Sequence, residues 1–224
     1  MVDICISELN DIDLRLNVAK SSCIRIGKRC YSECIPISTA GGTISWSTEV
    51  KYLGINILAG SKFCCNIDSL KSNFCSSFNA IYGKLGVFNN VIVTLNLIST
   101  IALPCLTYAQ EALSLNKTYL KSLEHPWSRV FMKLFMTFDN DIIRQCQYYT
   151  GYMPLEHSLF LKMFNFLNSL KSSQNWMLIS LYELTVMQEL KLIYDHYDLN
   201  SQSELSYNSM KEKIYIHFQN KINL

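Results

Sequence analysis

The spacing of apolar residues changes once along this chain, and that change limits what it can fold into. Up to about Leu58 the pattern mixes one helix-like stretch with short alternating runs; from Asn66 onward apolar residues recur at three and four throughout. A boundary belongs at Gly60, Ser61 and Lys62, so the expected fold class is α+β. It has a small antiparallel sheet with one helix in 1–60, then an all-α helical bundle.

In the first part, Ile4, Leu9, Ile12 and Leu16 sit on one face of a helix ending near Asn17, and Ser22–Gly27 alternates like a strand. Ile35–Ser38 and Thr43–Trp46 flank Ala40, Gly41 and Gly42, and a Gly-Gly pair supplies the positive φ that tight hairpins use. Val50–Leu58 reads as one strand, with Leu53, Ile55 and Ile57 on one face and Tyr52, Gly54 and Asn56 on the other. In the second part, Ile67, Leu70, Phe74, Phe78, Ile81 and Leu85 mark a helix of about five turns. A second helix over Val91–Leu113 is bent or broken near Pro104, which lacks an N–H and clashes with the preceding turn. A third covers Thr118–Phe138, with Leu120, Leu123, Trp127, Val130, Leu134 and Phe138 inward and Pro126 near its middle. Leu155, Leu159, Met163, Phe166 and Leu170, then Trp176, Ile179, Tyr182, Val186, Leu190 and Ile193, continue the inward pattern.

Composition narrows the class. Of 224 residues, 49% are hydrophobic and 17% charged, against about 25% charged in an ordinary soluble domain, which excludes disorder. So little charge leaves apolar surface for a partner, a membrane or a missing piece of the same protein. From Leu85 to Gln110 no residue is charged, but Asn89, Asn90, Asn96, Ser99, Thr100, Pro104 and Thr107 interrupt the stretch, and several share a stripe. That suits a buried helix with one polar side better than a bilayer span.

The nine cysteines follow no basic leader, which points to reduced thiols inside a cell, nucleus or cytoplasm. Neither Cys30 and Cys34 nor adjacent Cys64 and Cys65 have a histidine in zinc-ligand spacing, so no metal site is expected. No phosphate loop, nucleophile elbow or dinucleotide fingerprint occurs. Asp11 and Asp13 lie about 200° apart on a helix, and Asp139 with Asp141 sits where a helix cap would. Charge is uneven: residues 1–60 carry six basic and six acidic groups, 61–138 seven and three, 139–224 seven and nine. The middle helices are the place for a polyanion.

Four segments in order, LRLNVAKSSCIRIG, WSTEVKYLGINI, FNAIYGKLG and ALPCLTYAQEALSLNKTYLKSLEHPWSRVFMKLF, resemble the C-terminal part of the reverse transcriptase of non-LTR (LINE-like) retrotransposons. The resemblance covers about residues 1–150. It implies that 1–60 is the tail of a polymerase palm, 61–150 its thumb, and 151–224 a helical extension. It also implies that the magnesium-binding aspartates, the fingers and the rest of the palm belong upstream. These 224 residues contain no Asp-Asp pair, so the expectation is a piece without cofactor that does not polymerise alone and at most holds an RNA/DNA template–primer duplex. The alternatives are a nucleic-acid-binding module without chemistry and a helical membrane or partner-dependent protein.

By the same resemblance, Lys20 in Asn17-Val18-Ala19-Lys20-Ser21 matches a lysine thought to protonate pyrophosphate in the intact enzyme, although a lysine flanking a helix C-terminus is also simply favourable there. Tyr52-Leu53-Gly54-Ile55 matches the primer grip, a hairpin steering the primer 3′ end. In the thumb, Lys121, His125, Arg129 and Lys133 form a row at i+4 intervals, with Lys71 and Lys84 as further contributors to phosphate contact; a solvated face accounts for the row as well. The family commonly has Tyr-Gly-x-Glu where this chain has Tyr108-Ala109-Gln110-Glu111.

Overall fold

The computed structural model describes residues 2–85, 90–113, 117–199 and 205–222. Asn89, and Gly86 and residues 114–116 of the segments quoted above, lie outside these. The chain is α+β and divides into two compact units, Met1–Ser69 and Leu70–Leu224.

In the first unit α1 (Val2–Asp11) stops at Asp11, short of Asn17. The next residues turn away, with Asp13 at φ 57°, and Ile4 and Ile12 stay exposed instead of forming a buried stripe. Asn17 closes a short 3₁₀ turn over Val18–Lys20: its side-chain oxygen accepts the Lys20 N–H at 3.2 Å. Strands β1 (Ile37–Thr39) and β2 (Gly42–Ile44) form a hairpin in which Ile37 faces Ile44, and Gly42 at φ 130° takes the backbone that L side chains rarely adopt.

Val50–Leu58 is two strands, not one. β3 (Glu49–Tyr52) and β4 (Ile55–Leu58) pair antiparallel with Tyr52 facing Ile55, and Leu53-Gly54 makes the reversal at φ 45° and 82°. Both turn residues have positive φ, as a two-residue turn matching the strands' twist requires. Alternation of apolar residues across Gly54 hid the break, and the faces expected for one continuous strand do not exist. β5 (Cys64–Asn66) completes a sheet ordered β3-β4-β5.

Ser22–Gly27 is not a full strand either. Cys23 and Ile26 make single parallel bridges to Trp46 and Gly60, so the segment links the ends of both sheets without joining either. Arg25 anchors it, donating to the Arg29 and Ser32 carbonyls at 3.0 and 3.2 Å and lying 5.1 Å above the Trp46 ring. All nine cysteines are free.

In the second unit, α2 (Asp68–Leu85) has the expected five turns and buries Leu70, Phe74 and Phe78. The next helical stretch is interrupted as proline chemistry demands. α3 (Val91–Leu97) passes into a π turn over Ile98–Ala102 before α4 (Leu103–Thr107), because Pro104 has no N–H for the Thr100 carbonyl. Residues Val91–Ala112 are apolar and long enough to cross a bilayer by length and composition, yet Leu95, Ile98, Ala102 and Leu106 are buried within the protein.

α5 (Lys117–Phe135) carries Pro126 inside it and buries Leu120, Leu123, Trp127, Val130 and Phe131. It ends three residues before the expected Phe138: Met136 turns to φ 53°, and Phe138 is left exposed. α6 (Asn140–Tyr149) follows, capped by Asp139, which accepts the Asp141 N–H at 2.8 Å, so these acids do act as a cap.

α7 (Leu155–Lys171) is buried on a broad face through Leu155, Leu159, Leu161, Met163, Phe164 and Leu167. α8 (Trp176–Leu181), a π turn over Tyr182–Val186, α9 (Met187–His196) and α10 (Tyr207–Ile222) complete the unit. Val186, Leu190 and Ile193 face inward as expected; Trp176 and Ile179, read as inward, are exposed in the short first helix of this run.

Ala109, between α4 and a 3₁₀ turn at Gln110–Ala112, holds a left-handed backbone at φ 54°. An L residue there costs about 1 kcal/mol relative to glycine. Ala109→Gly is therefore expected to raise the unfolding free energy by about 0.5–1 kcal/mol, read as a higher urea midpoint at unchanged slope. A lower midpoint would show that this conformation is not held in solution.

Candidate nucleic-acid interface

Four of the basic residues singled out in the sequence occupy one line. Helix α5 buries Leu123, Trp127 and Val130 inward, which turns Lys121, His125, Arg129 and Lys133 outward, and all four are exposed. At 1.5 Å rise per residue the row is about 18 Å long, the axial length of about five nucleotides at 3.4 Å per step of one strand.

α2 runs beside it in the same direction, fixed at both ends. The Lys71 ammonium donates to the Ser122 hydroxyl at 3.2 Å near the start of α5, and the Lys133 ammonium lies 5.3 Å over the Phe78 ring and 4.7 Å over Tyr82 near its end. Lys71 thus sits half-buried between the two helices, while Lys84 is exposed in the last turn of α2. Between the helices lies a small cleft of about 200 Å³ with Phe74, Phe78, Asn79 and Arg129 on its walls.

In the other unit, Lys20 is exposed at the end of its 3₁₀ turn, and Ser21 Oγ donates to the Asn17 carbonyl at 2.9 Å. Val18 of that turn packs on the β1–β2 hairpin, where a Cβ added to Gly41 would come within 3.3 Å of it. The tip of the β3–β4 hairpin points outward: Tyr52 is 63% exposed and Leu53 73%. β3 is an edge strand, so Tyr52, Leu53 and Gly54 project at the rim of the sheet.

A deep group of titratable side chains in the helical unit escaped the sequence reading. Glu124, on α5, turns its carboxyl inward and caps α7: it accepts the Glu156 N–H at 3.1 Å, and the Leu155 N–H also bonds to it. The residue at the ordinary cap position, Pro154, makes no side-chain bond to the helix, and Glu124 replaces it from another helix. Burial, partly offset by these N–H donors and the Ser128 hydroxyl, pushes the carboxyl pKa up to about 7.

Nearby, His157 Nδ1 and the Tyr197 hydroxyl share a 2.7 Å hydrogen bond. The rings of His157 and His217 are 6.2 Å apart, and those of His196 and His217 6.3 Å. Burial, then the positive charges of Lys221 and neighbouring groups, pushes the His157 pKa down to about 3, and burial raises that of Tyr197. These residues sit on three helices up to 60 positions apart, and no local spacing could reveal them. Among the described residues no group of three or more His, Cys, Asp or Glu side chains could hold a metal ion.

Compared with protein families, with curated proteins and with solved structures, the chain matches none.

The buried pair gives opposite pH signatures. Glu124 keeps its proton in the folded state up to about pH 7, whereas an unfolded glutamate releases it near 4.5, so its contribution is lost as pH rises between those values. His157 stays neutral when folded but takes a proton near pH 6.5 when unfolded, so its contribution is lost as pH falls from 6.5 toward 3. Glu124→Gln is expected to gain about 1–3 kcal/mol over the parent at pH 8 relative to pH 4.5, read by urea unfolding. A pH-independent loss would contradict the buried carboxyl.

Proposed function

We propose that this chain is the palm-tail and thumb portion of a reverse transcriptase of the non-LTR retrotransposon kind, acting as a cradle for template–primer duplex rather than as a catalyst by itself. One observation carries the reading. The resemblance puts a hairpin at Tyr52-Leu53-Gly54-Ile55 where the apolar alternation argues for a single strand, and the chain turns there, at an outward tip.

Two features support it. Ala109 stands where the family commonly has glycine, and it adopts the left-handed backbone that favours glycine. The first unit is also short of core: among its described residues only Ile44 and Ile67 are buried. Two sheets of three- and four-residue strands with so little buried surface are marginal, as befits a palm tail whose remaining strands and fingers belong to another segment.

In this reading the α5 row contacts phosphates along the duplex without reading sequence, which the point charges of lysine and the fork of arginine both allow. Tyr52 packs on the terminal sugar, and Gly54, having no side chain, lets the sugar–phosphate backbone approach. Lys20 becomes a proton donor to pyrophosphate only where a metal-bound triphosphate is present. In this reading the magnesium-binding aspartates of the intact enzyme belong to the segment upstream, and the acids of this chain have other roles. Asp139 serves as a helix cap, and Asp13 follows the end of α1 in a left-handed turn.

The test is a titration of RNA/DNA hybrid duplex by fluorescence anisotropy across salt. Four phosphate contacts give a log–log slope of about −3 to −4, and Lys121→Gln with Arg129→Gln reduces its magnitude by about two. A flat salt dependence, or no binding at any salt, would refute the cradle and favour a partner-dependent helical protein.

A further inference from the structure

The helical unit contains a cavity of about 540 Å³ that none of the α5 row lines. Its walls come from four helices. Glu124 and Ser128 belong to α5, Arg144 and Gln147 to α6, His157 to α7 and Lys221 to α10. Ile143, Pro154 and Phe218 supply apolar wall between the polar groups. A cavity of this size, with polar groups converging from four helices, has room for a small ligand.

One residue of the lining stands out. Gln147 is 1% exposed, and its side-chain amide nitrogen is fully buried with no hydrogen-bond partner among the described residues. Leaving a buried donor unmet costs about 1–3 kcal/mol, and an acceptor that reached this amide would relieve that cost. Arg144 stands one helical turn before Gln147, on the same side of α6, and Lys221 approaches from α10; both are exposed and so lie at the mouth.

Two acids, Glu124 and Glu156, share the lining with these cations. The Glu124 carboxyl is occupied by the α7 N–H groups and the Ser128 hydroxyl, and its pKa of about 7 leaves it partly neutral at physiological pH. Glu156 is the remaining acid, in the first turn of α7.

We propose that this cavity binds a small oxyanion, a phosphate or carboxylate group, held by the Arg144 guanidinium and Lys221 ammonium at the mouth and by the Gln147 amide N–H within. An oxyanion has what the site lacks: acceptor oxygens able to meet a forked guanidinium and a buried amide together. Such a ligand enters from the mouth, and its apolar part lies against Ile143 and Phe218.

The site is independent of the duplex reading, and the test keeps them apart. Inorganic phosphate and succinate are titrated into the full chain by calorimetry at pH 7 and constant ionic strength. Saturable one-to-one binding of either probe is expected, at least tenfold weaker in Arg144→Gln with Lys221→Gln. Both residues are exposed, and an unchanged melting temperature verifies that the variant folds. Binding of phosphate alone assigns a phosphoryl ligand; binding of succinate alone assigns a carboxylate. Lys121→Gln with Arg129→Gln leaves the affinity unchanged if the cavity is the site. No saturable binding of either probe, equal binding by the Arg144/Lys221 variant, or loss of binding in the Lys121/Arg129 variant overturns the proposal.

Discussion

Helix α7 is the member on which the helical unit depends. It buries seven residues, from Leu155 to Leu167, and α5, α8, α9, α10 and the 3₁₀ turn at Gln110–Ala112 all pack against it. A helix buried so widely cannot leave its first N–H groups unmet, and Pro154 makes no side-chain bond to satisfy them. The need is met from outside by Glu124, while Trp127, one turn on in α5, donates its indole N–H to the Met153 carbonyl at 3.1 Å. Two side chains of α5 thus fix where α7 begins. Orienting α5 for this task fixes its other side too: with Leu123, Trp127 and Val130 turned inward, Lys121, His125, Arg129 and Lys133 have to face solvent.

The cavity borders the start of α7, where Glu124 provides the cap, and α6 and α10 line it with Gln147, Arg144 and Lys221. The polar ring cluster lies against it: Tyr197 bonds to His157, which also lines the cavity, and His217 packs on both rings. Burial keeps His157 neutral, so the cluster is held by hydrogen bonding and ring packing rather than by charge. Among its described residues the first unit has no comparable organising helix. Its α1 buries nothing, and its order comes from two hairpins tied by single bridges at Cys23 and Ile26.

Long amphipathic spacing was legible in the sequence: α2, α5 and α7 follow from residues three and four apart, and Pro104 breaks its helix by simple loss of an N–H. What escaped depended on backbone signs or on distant partners. Leu53 is not a usual residue at positive φ, so alternation concealed the β3–β4 turn, and Met136 ended α5 before Phe138 for the same reason. The α5 row was visible because i+4 spacing is local. The Glu124 cap was not, because its N–H donors lie 32 residues away, nor was the link between His157 and Tyr197, which are 40 apart. The bond from Lys71 to Ser122, 51 residues on, was equally out of reach of local spacing.

The central proposal is that the outward β3–β4 tip and the basic line of α5 each contact template–primer duplex. Site-resolved photocrosslinking tests it most directly, using a primer–template with a reactive group either at the primer 3′ end or several base pairs behind it. The account predicts that the 3′-terminal probe labels Tyr52 to Gly54 and that the internal probe labels the stretch from Lys121 to Lys133. Labelling of neither region, or of both equally by either probe, would contradict it.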